Sequence, residues 1–276
     1  MTSQQAVSNE YDARVRRAEK LIAEKSSASE LLSFYKRIAG FQKNFLSQIA
    51  GAGVQQSEAQ QFGTVRDALD LTVLLPHFRT FLSLVEQNAP NALAAAAREM
   101  AALSSDSWIT LLNSYWELAG RFDQQIGAFA QFLPRAFLQP YAAYVAGRTA
   151  VPPVLATPRA CPLCGGRPLF GVLRLEGDGG KRCMVCSFCG YEWEFRRILC
   201  PTCGEEEEKK LPVYVAEQFP HIRVEACETC KFFVRTIDLT KDGHAVPVVD
   251  DLAAIPLTLW AHEHGYSRLQ PNLLGS

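Results

Sequence analysis

Apolar residues return at three- and four-residue steps through the first half of the chain and gather in short β-prone runs through the second. Helices and strands bury their apolar faces with different periods, so this change of pattern divides the molecule before any motif is read. From about residue 10 to 147 there is no cysteine and little glycine, and the spacing is helical. Residues 30–38 repeat apolar positions on that spacing with Ser27 or Ser29 available as a cap, which predicts a helix over 28–49. A second helical stretch starts near Asp67 and carries Leu71, Leu74, Leu75, Phe78, Leu82 and Val85, with Pro76 expected to kink it. The Ala-rich residues 91–103 favour helix by propensity alone. Ser105, Asp106 and Ser107 then cap a predicted long helix through Trp108, Leu111, Leu112, Tyr115, Trp116, Leu118, Phe122, Ile126 and Phe129. A last piece, residues 136–145, follows Pro134. Five or six helices in such a length predict a bundle over residues 1–150.

The stretch VPPVLATP at 151–158 cannot continue a helix and sits where the composition changes, so residues 151–160 read as a linker. Strand-prone runs follow at 169–175, 191–195 and 232–237. A short helix is predicted near 250–264, and an irregular tail over 265–272. The expected class is α+β: a helical domain, then two tandem Cys₄ modules with short β-hairpins at 161–199 and 200–240, then a C-terminal segment at 241–276.

Chemistry enters with the cysteines. Four C-x-x-C pairs, Cys161/Cys164, Cys186/Cys189, Cys200/Cys203 and Cys227/Cys230, lie in the second half. Two thiolates from one tight turn present half of a tetrahedral metal site, so four pairs supply two complete Cys₄ sites. The intervals nearly match, with 21 residues between Cys164 and Cys186 and 23 between Cys203 and Cys227, the mark of a tandem repeat. Gly165, Gly190 and Gly204 follow three of the pairs and allow the sharp turn that aims N–H groups at sulfur. The fourth pair is followed by Lys231 and is expected to be the least ideal, with Lys231 offsetting thiolate charge. Each module, at about 35 residues, is below the ~40 that usually fold without a staple, so the metal is expected to be part of the fold. Iron and zinc both suit four sulfurs, and the residues do not choose between them.

With 276 residues, 48% of them hydrophobic, the chain can bury a real core and hold two or three domains. A formal net charge of −1 argues against a generally basic nucleic-acid binder, although Arg14, Arg16 and Arg17 form a local basic patch. The N-terminus lacks the apolar core of a signal peptide, and no run approaches the ~20 apolar residues of a membrane span. A cytoplasmic location is expected, where nine cysteines persist as thiolates on metal rather than as disulfides.

The segments CPLCGGRP at 161–168 and CSFCGYEWEFRRILCPTCG at 186–204, after a helical domain, resemble the formate dehydrogenase accessory protein family, FdhE. CETCKFFVRTIDLTKDG at 227–243, DDLA at 250–253 and GYSRLQPN at 265–272 are similar to that family's C-terminal signature. The resemblance is specific over 161–272 and only architectural over 1–150. It implies a cytoplasmic factor needed for active respiratory formate dehydrogenase, an exported molybdenum and iron–sulfur enzyme, and acting on its catalytic subunit before export. It also implies rubredoxin-like modules binding iron or zinc. Cys161, Cys164, Cys186 and Cys189 would hold the first metal, and Cys200, Cys203, Cys227 and Cys230 the second. Cys183 is left over; a Cys183/Cys186 pair would free Cys189, but Gly190 favours Cys186/Cys189.

Other features have plain readings beside sharper ones. Cys183, next to Arg182, is a reactive thiol or, more in keeping with free cysteines, a buried one. Residues 191–197 alternate aromatic and charged side chains, as in a half-buried strand over a metal site or a partner-binding face. His262 and His264, two apart on a helix, point away from each other and read as solvated. Glu205 to Lys210 reads as a solvated loop, with a steering role toward a basic export signal as the sharper alternative. No nucleophile–base arrangement, nucleotide loop or HExxH motif occurs, so no enzyme activity is expected. The function that the resemblance implies is a maturation factor that binds the immature formate dehydrogenase catalytic subunit. The rivals are a zinc-ribbon nucleic-acid binder, disfavoured by the many Glu at 161–235, and a rubredoxin-like electron carrier. An exposed apolar face on the helical domain would serve a homodimer or the client equally.

Overall fold

The computed structural model of the chain describes residues 3–24, 26–51, 64–120, 128–153, 156–177 and 179–275. Two compact units emerge, Met1–Ala150 and Val151–Ser276, each with its own core. The first is helical: α1 (Ser3–Glu24), α2 (Ser29–Gly51), α3 (Leu71–Asn88), α4 (Asn91–Ala101), α5 (Ser105–Leu118) and α6 (Ala128–Ala146). Helices α1 and α2 pack as a pair, as do α3 and α4, and α2 also meets α3 and α6. Phe137 of α6 lies at the centre of the core, with ring centroids 4.8 Å from Phe78 and 5.1 Å from Phe45. Phe78 meets Trp108 edge-on at 5.5 Å, the geometry aromatic quadrupoles favour.

Several expected boundaries move, each for a local reason. The stretch near Asp67 first forms a 3₁₀ turn, Val65–Ala68, closed by a capping box between Thr64 and Asp67. Helix α3 then starts at Leu71 because Asp70 accepts hydrogen bonds from the backbone of Thr72 and Val73. The long helix predicted through Phe129 ends at Leu118 instead. Ala119 leaves the helical conformation (φ −53°, ψ 128°) and Gly120 is left-handed (φ 73°), and left-handed glycine is common where a helix stops. Phe122 and Ile126 lie outside the described residues, and the next helix begins at Ala128. That helix runs through both Pro134 and Pro140 rather than starting after the first. Proline 140 has no N–H for the carbonyl of Ala136, and Gln42 Nε2 of α2 donates to that carbonyl at 2.7 Å in its place.

In the second unit the strands are β1 (Pro168–Glu176), β2 (Gly179–Cys186), β3 (Glu192–Glu194), β4 (Val213–Val215), β5 (Ile222–Ala226), β6 (Phe232–Asp238) and β7 (Ser267–Arg268). The sheet order is β3-β2-β1-β6-β5-β4, with β7 alongside β6. Strands β1–β3 and β4–β6 are both antiparallel triplets of the same connectivity, joined by parallel pairing of β1 with β6. The two modules expected as separate ribbons thus share one sheet. At the join Gly171 pairs with Thr236, and a Cβ on Gly171 would collide with the Thr236 side chain. Strands β2, β4 and β5 were absent from the sequence expectation, as was β7 in the tail.

The predicted C-terminal helix is two helices, α7 (Pro247–Ala253) and α8 (Ile255–Glu263), broken where Pro256 removes an N–H. Leu257 and Ala261 of α8 pack with Ile222, Val224 and Phe233 of the sheet. Beneath them Asp251 gathers two buried cations. It accepts both oxygens' bonds from Arg268 Nη2 at 2.8 Å, another from Asn272 at 3.2 Å, and pairs with Arg235 Nε at 2.9 Å. No helix among the described residues is long and apolar enough to cross a membrane.

Candidate metal centres

Four turns carry the eight paired cysteines, and all four have one geometry. The N–H of the residue after the second cysteine donates to the first cysteine's carbonyl: Gly165 to Cys161 at 2.8 Å, Gly190 to Cys186 at 3.2 Å, Gly204 to Cys200 at 3.1 Å and Lys231 to Cys227 at 2.8 Å. Each first cysteine's N–H in turn donates to the carbonyl five residues on, that of Gly166, Tyr191, Glu205 or Phe232, at 2.8–2.9 Å. The turn needs a left-handed residue at its close. The three glycines supply it at φ 71°, 69° and 84°, and Lys231 adopts it at φ 59°. Further N–H groups point at sulfur, from Gly166 to Cys164, Phe188 to Cys186 and Thr202 to Cys200, each at 3.4 Å. Such bonds stabilise thiolate charge.

The sheet brings the turns together in twos. The Cys161 turn enters β1 and the Cys186 turn links β2 to β3; the Cys200 turn follows β3 and the Cys227 turn links β5 to β6. The result is two clusters, Cys161/Cys164/Cys186/Cys189 and Cys200/Cys203/Cys227/Cys230, in each of which the sulfurs lie within 4.8 Å of one another. Across the turns, Cys161 and Cys189 are 3.6 Å apart, Cys164 and Cys186 3.4 Å, Cys200 and Cys230 3.7 Å, and Cys203 and Cys227 3.6 Å. A tetrahedron of sulfurs at the ~2.3 Å zinc–sulfur distance has edges of about 3.8 Å, so the donor sets fit a tetrahedral thiolate metal in both size and chemistry.

Electrostatics point the same way. Hydrogen bonds from Cys161, Cys186 and Cys189 hold the Cys164 thiol well below its ordinary range, while Cys189 is raised by its bonds to Cys161 and Cys164 and Cys186 chiefly by burial. Negative charge is favoured at Cys164 and disfavoured at Cys186 and Cys189. Four thiolates in one buried cage require a cation, whose binding releases the thiol protons.

Supporting residues include some that the sequence did not single out. Gly166 lies against the first cluster, where a Cβ would meet Cys186 Sγ at 2.9 Å and Cys164 Sγ at 3.2 Å. The doubled glycine of CPLCGG was the available signal. Glu205, expected as part of a solvated loop, laces the second cluster's turns. It accepts from Thr229 Oγ1 at 2.6 Å and from the backbone of Glu206 and Glu207 at 3.0 Å. Lys231 pairs with Glu228 rather than with the thiolates. Trp193 and Phe195 of the 191–197 segment are buried, with Trp193 donating to the carbonyl of Pro158, while Glu194, Arg196 and Arg197 are exposed.

Cys183 stands in β2 outside both clusters, buried, its thiol pushed up to about 11 by that burial and by Glu192. A raised pKa makes it a poor nucleophile. His262 and His264 are exposed. Arg17, of the local basic patch, is buried, and Arg14 pairs with Glu10. A third grouping, His221 with Asp242 and Asp250, is held by hydrogen bonds of its own. His221 meets Asp250 at 2.9 Å, and the two carboxylates accept from the backbone of Val246 and His244.

Comparison with known proteins agrees with this architecture. The FdhE central domain matches residues 160–197 and the FdhE C-terminal domain residues 198–274. A protein FdhE homolog of Aquifex aeolicus is 25% identical over 257 residues, 90% of this chain and 89% of that one. The homolog of Pseudomonas aeruginosa is 34% identical over 165 residues, 57% of this chain and 53% of its own. The crystal structure of the FdhE protein from Pseudomonas aeruginosa shares the fold, with a TM-score of 0.70, 22% identity and coverage of 97% of this chain and 95% of that one. Residues 160–274 thus match the FdhE central and C-terminal domains in order, in a chain whose fold an FdhE protein shares over nearly its whole length.

Proposed function

We propose that this chain is a cytoplasmic maturation factor that binds the immature catalytic subunit of a respiratory formate dehydrogenase before export, and that it is not itself an enzyme. Cys161, Cys164, Cys186 and Cys189 would hold one iron or zinc ion, and Cys200, Cys203, Cys227 and Cys230 a second. A metal closed in by four thiolates has no open position for a substrate, so its contribution is to brace the sheet. The observation that carries this reading is the pair of Cys₄ clusters built into one sheet by residues that match the FdhE central and C-terminal domains. The client surface then belongs to residues set by the braced turns, such as exposed Arg196, Arg197 and the 206–208 glutamates. Arginine beside buried aromatics is a common interface anchor.

The test is capture of the catalytic subunit from cells making formate dehydrogenase, under reducing and anaerobic conditions. The intact chain is expected to retain the subunit, and Cys186→Ser and Cys227→Ser to lose it. An intact chain that retains none, with its metals in place, sinks the proposal.

A further inference from the structure

The two clusters repeat one geometry in two environments. Every cysteine of the first is 1–2% exposed, and Leu163 and Phe188, inside its turns, are each 1% exposed. In the second, Cys200 and Cys227 are as deeply buried, but Cys203 is exposed and Cys230 half-buried. The second also closes one of its turns on Lys231, in a left-handed conformation that costs a side-chain-bearing residue more than glycine. Cys200 and Cys227 further line a cleft of about 490 Å³, together with Leu199, Pro201, Thr202 and Phe232. Open space therefore borders the second cluster beyond Cys203 itself.

We propose that the second cluster is an exchangeable metal site, entered and left through Cys203, and that the first is a permanent structural one. The inference rests on the reading of both clusters as metal sites. Exchange at a thiolate metal needs an incoming donor to approach and an outgoing thiolate to be accommodated. In the first cluster both steps occur in a dry interior, where a displaced thiolate is a buried unpaired charge. At Cys203 the departing thiolate meets water. Cys203 would be the thiolate that yields its place to an incoming donor, and once released it would take up a proton from the buffered solvent or the one the donor gives up. Ligand number is conserved and nothing is oxidised or reduced. The chemical class that fits as exchange partner is a thiolate- or imine-bearing chelator of soft divalent cations, small enough to reach Cys203.

The test uses the zinc-loaded full chain and an excess of pyridylazoresorcinol, which reports released zinc by colour. Two phases are expected, each of one zinc per chain and separated by at least about tenfold in rate, the scale on which a site's surroundings alter metal affinity. Cys203→Ser is expected to abolish or accelerate the fast phase and leave the slow one. Brief labelling of the unmutated zinc-loaded chain with limiting iodoacetamide, read by peptide mass spectrometry, is expected to modify Cys203 first and the first cluster last. This arm needs no variant to fold. A chain that takes up fewer than two zinc ions overturns the metal reading of the clusters, and this inference with it. Two ions that leave with one rate constant, or labelling that begins in the first cluster, overturn the exchange inference alone.

Discussion

Lys231 shows how a local rule and a global demand compete at one residue. Four turns must close identically to aim four pairs of sulfurs, and three do so with glycine, which has no Cβ to crowd the left-handed backbone. Lys231 takes the same conformation because the Cys227 turn is fixed at both ends, by β5 and β6. Its exposed pair with Glu228 is screened by water and offsets little of that cost. Lys231→Gly is therefore expected to stabilise the metal-loaded chain by about 1 kcal/mol, the scale of the left-handed penalty. Urea midpoints at fixed zinc would read it, and a lower midpoint for the variant counts against the account. Gly190 offers the reciprocal control, since a Cβ there meets nothing within 4 Å and its φ is 69°, so Gly190→Ala isolates conformational cost alone. The glycine-closed turns were legible because their chemistry is local: two cysteines, three residues apart, then Gly. The left-handed lysine was not, because the sequence around it contains no residue that demands the turn; the opposing cysteines, 24 or more residues away, impose it.

Between elements, the same division separates what periodicity carries from what partners decide. Helix α2 was legible almost to its ends, whereas α6 was cut short at Pro134 because a proline inside a helix removes a bond that only another element can replace. Gln42 replaces one of them, across 94 residues of chain. Gln42→Leu keeps the volume but leaves the buried carbonyl of Ala136 unpaired, which is expected to cost about 1–3 kcal/mol. Adding Pro140→Ala restores the helical N–H to that carbonyl, so the double variant is expected to recover part of the loss. Additive losses in a denaturant double-mutant cycle would show that the two positions do not share this bond. Asp251 plays the corresponding part in the sheet unit, tying β6, α7 and β7 through Arg235, Arg268 and Asn272. Burial alone would raise its carboxyl, but the two guanidiniums outweigh burial and hold it below the ordinary carboxylate range. A carboxylate whose folded pKa is depressed contributes stability that is complete above its unfolded value, near 3.9, and lost as the pH falls through the folded one. Asp251→Asn leaves two buried cations without their counter-charge and is expected to cost about 3–5 kcal/mol at neutral pH, and less in acid. Thermal melts of variant and parent from neutral pH down to about pH 3 would read this difference as a gap that narrows. A gap independent of pH points to packing instead. The DDLA segment was legible as a signature, but its reason lies in residues 16 and 17 positions away, which no local pattern encodes.

At the scale of the molecule, the cysteine intervals read as a tandem repeat, and the structure shows the repeat in its strands: β1–β3 and β4–β6 have one connectivity and are fused by parallel pairing of β1 and β6. Parallel pairing of strands so far apart in sequence leaves no short-range turn signal, which is why the fusion escaped the sequence. Two consequences for stability follow from the division of the chain. The helical unit has an aromatic core around Phe137 and no cysteine, and none of the metal-ligand groupings among the described residues lies in it. Strands β3 and β4, of three residues each, flank the sheet unit, and the cysteines of its turns are free thiols that a shared cation would link. Structural zinc in small domains contributes about 10–16 kcal/mol of binding free energy, as large as or larger than the whole stability of a typical domain, 5–15 kcal/mol. Removal of both metals by a strong chelator under reducing conditions is therefore expected to abolish cooperative melting of residues 151–276 and to leave residues 1–150 folded. In calorimetry of the full chain, one transition should vanish on chelation while the other keeps its midpoint. Limited proteolysis of the chelated chain should leave a helical fragment ending near the Pro152-Pro153 stretch. Survival of both transitions after chelation means that the packing of α7 and α8 on the sheet suffices without metal. Loss of both means that the helical core depends on the sheet unit, and the two cores are then one cooperative structure.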